Sequence, residues 1–144
     1  MKLRRLSLLI LMMLAISFPA AADQYRLTIV ASCEDFNHVG KDWYFQYFLN
    51  DQSFEYSLPD GSRTIESPCR TLVEVEDGVE IRTIITEQDR RPDVGERKDV
   101  LKLEYNEEYG CYTFEQMIDV SESSGKYAHS TCRWTITWLF DKMN

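Results

Sequence analysis

Apolar side chains along most of this chain recur at every second position, which is the period of a pleated strand rather than of a helix. Tyr25, Leu27, Ile29 and Ala31 alternate with Arg26, Thr28, Val30 and Ser32 and predict a first strand ending at Cys33. Trp43, Phe45, Tyr47 and Leu49 alternate with Tyr44, Gln46, Phe48 and Asn50, and after Asn50-Asp51 the pattern resumes with Phe54, Tyr56 and Leu58. This predicts a hairpin, closed by Pro59-Asp60-Gly61. Leu72 to Glu76 and Val79 to Thr86 flank Asp77-Gly78, a dipeptide that readily takes positive φ angles, and predict a second hairpin. Leu101, Leu103 and Tyr105, then Tyr112, Phe114, Ile118 and Val120, then Cys132, Trp134, Ile136, Trp138 and Phe140 mark the remaining faces. The expectation is an all-β protein, an antiparallel β-sandwich of about eight strands whose aromatic stripes form the core.

The N-terminus departs from that pattern. Lys2, Arg4 and Arg5 precede an apolar stretch from Leu6 to Ile16 relieved only by Ser7, and Pro19 and Ala20-Ala21-Ala22 follow. A basic start, a short apolar run and small residues before a cut are the marks of a signal peptide, so residues 1–22 are expected to be removed and residues 23–144 to form a single domain. The apolar run is shorter than the about 20 residues a membrane-crossing helix needs, and no later segment approaches that length. The expected location is the periplasm or the outside of a bacterial cell. Cys33, Cys69, Cys111 and Cys132 all lie beyond the cut, and an even count in an oxidising compartment predicts two disulfides. Of the three possible connectivities, Cys33 with Cys69 and Cys111 with Cys132 is the favoured one. No Cys-x-x-Cys pair exists and the histidines stand apart, which argues against zinc.

The formal net charge is −8, and losing Lys2, Arg4 and Arg5 makes it three units more negative. Such a field repels phosphate backbones, so nucleic acid is not an expected partner, while cations and basic proteins are attracted. Catalytic motifs are missing: there is no Gly-x-Ser-x-Gly elbow, no His-Glu-x-x-His and no phosphate-cradling glycine loop. The expectation is a non-catalytic protein.

Acidic residues gather at strand ends in two places, Glu34, Asp35 and Asp42 in one, Glu87, Asp89 and Asp93 in the other. A hard cation such as calcium needs six to eight oxygens, which two such loops could supply with carbonyls and water. The run from Glu87 to Asp99, with its mixed charges, reads by itself as a solvated loop. An apolar strand, an acidic loop, Asp42-Trp43-Tyr44 opening a new strand, and Glu80-Ile-Arg-Thr-Ile-Ile-Thr-Glu-Gln-Asp89 before Asp93 and Gly95 together resemble the synaptotagmin-type calcium- and lipid-binding β-sandwich domains, from about Tyr25 to Leu103. That family's first calcium loop ends in Asp-Pro-Tyr, and its third carries Asp-x-Asp followed by another Asp. The resemblance implies Asp35, Asp42, Glu87, Asp89 and Asp93 as calcium ligands. Trp43 stands where that family has proline, Glu87 where it has aspartate, and Arg90 and Arg91 lie inside the loop. The functional expectation is an exported binding module, calcium-dependent at one end of the sandwich and acting on an unidentified protein or membrane surface. The alternative is an acidic inhibitor or interaction protein that binds a basic protein such as a lysozyme.

Overall fold

The computed structural model describes residues 22–35, 39–40, 42–58, 64–66 and 71–144. The leader through Ala21, the Pro59-Asp60-Gly61 closure and Cys69 lie outside the described residues, and the side chains of Glu34 and Asp35 do as well. The alternating pattern builds two antiparallel sheets. In the first, β1 (Asp23–Asp35) pairs along its length with β10 (Thr131–Lys142), and on its other side with β5 (Thr71–Val75) and β4 (Thr64–Glu66) in succession. β9 (Cys111–Ser121) lies beyond β10, with β8 (Glu104–Asn106) at the edge. The second sheet runs β3 (Gln52–Leu58), β2 (Trp43–Leu49), β6 (Glu80–Glu87), β7 (Asp93–Val100). No helix among the described residues is long and apolar enough to cross a membrane.

The inward faces are those the alternation marks. Tyr25, Leu27, Ile29, Ala31 and Cys33 of β1, Trp43 to Leu49 at every second position of β2, and Cys132 to Phe140 at every second position of β10 are buried. Rings from the two layers interlock edge to face: Trp43 on Trp134 at 5.2 Å between centroids, Phe45 on Trp134 at 4.9 Å, and Tyr47 on Trp138 at 5.6 Å. Each such pair contributes about 0.5–1.5 kcal/mol beyond the area it buries. The aromatic stripes are core.

Four features differ from the expectation. The described residues form ten strands rather than about eight, because short β4 and β8 carry no alternation long enough to read. β5 and β6 do not form a hairpin. The turn at Asp77-Gly78, with Gly78 at φ +94, reverses the chain and delivers it from the first sheet to the second, and β5 gives its ladder to β1. Turn chemistry sets a reversal, but it does not choose the partner of the strand that enters it. The charged run is not a loop beyond Pro92: Asp93–Val100 is edge strand β7. Its outward charges pair across to β6, Glu96 with Arg82 at 2.6 Å and Lys98 with Glu80 at 2.7 Å, and such charged edges discourage further pairing. Leu101 and Leu103 lie in the connection after it rather than in a strand.

The fourth difference is in the sulfur chemistry. Among the described residues there is one disulfide rather than two, between Cys33 and Cys132, and Cys111 is a buried free thiol. Cys33 and Cys132 both face inward on neighbouring strands, one diagonal step apart, since Cys33 sits opposite Trp134. Cys111 cannot reach Cys132, whose register partner on β9 is Val120. The nine residues from Cys111 to Val120 in an extended strand cover roughly 30 Å.

Candidate functional site

One end of the sandwich carries Gly40 and Asp42 ahead of β2, the β6–β7 turn (88–92) and the β9–β10 loop (122–130). Glu87 closes β6 and Asp93 opens β7; they are register partners, both turned inward, 3% and 5% exposed. The alternation of β6 forces this, because Glu87 continues the inward set Ile81, Thr83 and Ile85. Asp42 joins them from the β2 side: its carbonyl accepts the amide of Gln88 at 2.7 Å, just before Trp43 pairs with Glu87. Gly40, at φ +48, lies flat against the Glu87 side chain, where any Cβ would overlap it.

Asp93 Oδ1 accepts the amide of Ser123 from the β9–β10 loop at 3.1 Å. Its Oδ2 is buried and has no hydrogen-bond partner among the described residues. Asp89, exposed on the turn, accepts the Arg91 amide at 2.6 Å in a local turn. Glu122 completes the group. Burial pushes its carboxyl above the usual range, and the negative charges of Asp93 and Asp89 push it further. Asp42, Glu87, Asp89 and Asp93, expected at one end, therefore do lie at one end. The backbone of Asp35 is there too, opposite Arg133 after a bulge in β1.

Glu122 was not legible in the sequence. It sits in Ser121-Glu-Ser-Ser-Gly125, a stretch with no feature beyond turn composition, and only the packing of β9 against β7, where Gly95 lies close to Asp119 and Val120, carries it to Asp93. Proximity is not a coordination sphere, however. Among the described residues no group of three or more His, Cys, Asp or Glu side chains stands in an arrangement that holds a metal ion. Glu87 points into the sandwich and Asp89 folds back on its own turn.

The two stacked sheets have a counterpart among solved structures. The C2-A domain of plant Extended Synaptotagmin 1 superposes with a TM-score of 0.50, covering 88% of this chain and 99% of that domain at 10% sequence identity. The fold is similar to a synaptotagmin C2 domain. A chain of CC2D1B is also similar, with a TM-score of 0.42, 15% identity, and coverage of 82% of this chain and 55% of that one. No family model matches the sequence, and no curated protein matches it. At such identities the likeness is one of fold, as the residues around Asp42 and Glu87 led one to expect.

Proposed function

We propose that this protein is an exported, non-catalytic binding module of the bacterial periplasm or cell exterior, whose acidic loop end takes calcium as it engages a protein or membrane surface. The observation that carries this reading is the gathering of carboxylates at one end of the sandwich, Glu87 and Asp93 as buried register partners and Glu122 near enough to Asp93 and Asp89 for their charges to raise its carboxyl, beside an Asp93 oxygen that is buried with no hydrogen-bond partner among the described residues. Such an oxygen is costly to bury unless something satisfies it. Because the side chains do not stand ready around a common point, the ion would draw Asp89 and Glu122 toward Asp93. A site assembled in this way belongs to the weak range of extracellular calcium modules, on the order of 0.1–1 mM. The leader-like N-terminus and the β1–β10 disulfide support export to an oxidising compartment.

The test is thermal unfolding of the oxidised protein in calcium and in chelator. At a calcium concentration about ten times the dissociation constant, binding stabilises the fold by about 1.4 kcal/mol, an upward shift of the midpoint by several degrees. Asp93→Asn should lose that shift. A midpoint indifferent to both calcium and chelator discards the calcium reading.

A further inference from the structure

The two sheets end in edges of unequal kind. Among the described residues β4 and β8 are three residues long and β5 five, while β7 carries Glu96, Arg97, Lys98 and Asp99 in succession. Short or charged edges of this sort discourage a further strand from pairing. β3 is the exception. It closes the second sheet, runs seven residues against β2 from Gln52 opposite Leu49 to Leu58 opposite Trp43 without a bulge, and holds no lysine, arginine or proline.

The ladder fixes which of its backbone groups are already used. Asn50 donates its amide to the Glu80 carbonyl at 3.0 Å, and the Asp42 carbonyl accepts from the Gln88 amide at 2.7 Å, so even-numbered residues along β2 turn their backbone toward β6. Odd-numbered ones turn theirs toward β3, opposite Gln52, Phe54, Tyr56 and Leu58. The N–H and C=O of Ser53, Glu55 and Ser57 therefore face away from the sheet, in the spacing of an open ladder, with no backbone partner among the described residues.

The side chains define the guest. Phe54 and Tyr56 are only partly buried against the core, and a cleft of about 200 Å³ between Gln52 and β5 is lined by Leu72, 57% exposed. A strand added here would lay its inward side chains along this apolar flank. Glu55 is the one charged side chain of β3, and it meets uncharged groups, the Tyr44 hydroxyl and the Gln46 amide at 3.5 Å. Glu74 stands exposed beside the same cleft. With a net charge of −8 on the chain, the complement to Glu55 is a lysine or arginine on the facing strand. A second copy of the chain would bring like charge to like.

We propose that the outer edge of β3 takes up an extended segment of a basic protein partner as a fifth strand of the second sheet, bonded to the backbone of Ser53, Glu55 and Ser57, with a lysine or arginine opposite Glu55 and apolar residues on its inward face. Main-chain bonds supply the affinity of such an addition, and alternate side chains supply the choice of partner. The site runs along the flank of the sandwich, uses none of the loop carboxylates and does not depend on calcium.

The test is amide hydrogen exchange followed by NMR on the oxidised protein, alone and with a capped Lys-Val-Lys-Val-Lys-Val-Lys peptide. In the free protein the amides of Ser53, Glu55 and Ser57 should exchange fast and those of Phe54 and Tyr56 slowly. The peptide should protect the first three, and its glutamate counterpart, which keeps the alternation and reverses the charge, should not. Ser57→Pro removes an outward N–H that bonds nothing in the fold, so it should weaken binding about tenfold and leave the unfolding midpoint within a few degrees of the parent. Ser53→Pro, whose amide faces the same way, makes the same test should the first variant fold poorly. Glu55→Gln should weaken binding about threefold and flatten its dependence on salt. The proposal is overturned if the three amides are already slow in the free protein, if the lysine peptide binds without protecting them, if both peptides bind alike, or if the proline variants bind like the parent. Protection that grows with protein concentration alone also overturns it, assigning the edge to a second copy. Chelator should leave the peptide's affinity unchanged, so this proposal and the calcium reading fail separately.

Discussion

Gln116 ties the two layers together through a single buried amide. Its Oε1 accepts from the Thr83 hydroxyl at 2.7 Å and from the Trp138 indole at 3.2 Å, while its Nε2 donates to Asp99 Oδ2 at 3.0 Å. Those partners come from β6, β10 and β7, so one side chain joins both sheets. Gln116→Leu keeps the volume but strands the Thr83 hydroxyl and the Trp138 N–H, and should cost about 2–4 kcal/mol in urea unfolding. Gly95 matters for the opposite reason, the absence of a side chain. A Cβ there would stand 2.6 Å from the Asp119 carbonyl oxygen and 2.8 Å from Val120 Cγ2. Gly95→Ala should therefore push β7 off β9 and cost about 1–3 kcal/mol by the same measurement. Gln116 lies in step with Phe114, Ile118 and Val120, so its inward position follows the alternation, but its partners on three other strands could not be read in advance, and a glycine in a charged run has no local mark of burial.

At the scale of elements, legibility follows the length of the alternation. β1, β2 and β10 have four or more inward residues in step, and their buried faces are the ones the pattern predicts. β7 has an inward glycine and outward charges, so its pattern is that of a loop, and only pairing with β6 makes it a strand. The Asp77-Gly78 turn shows the complementary error, since a strong local signal for reversal was assigned a neighbour it does not have. Pairing also decides the sulfur chemistry. The Cys33–Cys132 bridge spans 99 residues of sequence, and loop-closure reasoning gives it about 3–5 kcal/mol. Peptide mapping of the oxidised protein should recover Cys33 joined to Cys132. Cys111, whose thiol is pushed up by burial first and the Asp141 charge second, should react with a thiol reagent far more slowly in the native than in the unfolded protein.

For the whole molecule, charge sets the limits of stability on both sides of neutrality. Asp99 is held below the usual carboxylate range first by its bond from Arg97, with Gln116 adding to it, and Asp119 likewise by Arg133, which reaches both its oxygens at 2.7 and 2.9 Å. A carboxyl depressed in the folded state contributes stability above its unfolded value, near pH 4, and loses it as pH falls through the folded one. Unfolding midpoints should thus hold from neutrality to about pH 4 and then drop. Tyr47 limits the other side. Burial raises its phenol well above the ordinary value, so its contribution is complete below about pH 10 and is lost as the pH climbs above that. Alkaline unfolding should coincide with the rise of tyrosinate absorbance.

Which side chains face inward was written into the chain, because the two-residue period of a strand is a local property that needs no knowledge of neighbours. The same locality placed carboxylates at strand ends. What each strand pairs with, which cysteine meets which and how Glu122 arrives beside Asp93 were settled only in three dimensions. Those outcomes depend on hydrogen-bond ladders between segments far apart in sequence, and every extended backbone offers the same unpaired N–H and C=O groups to all possible partners.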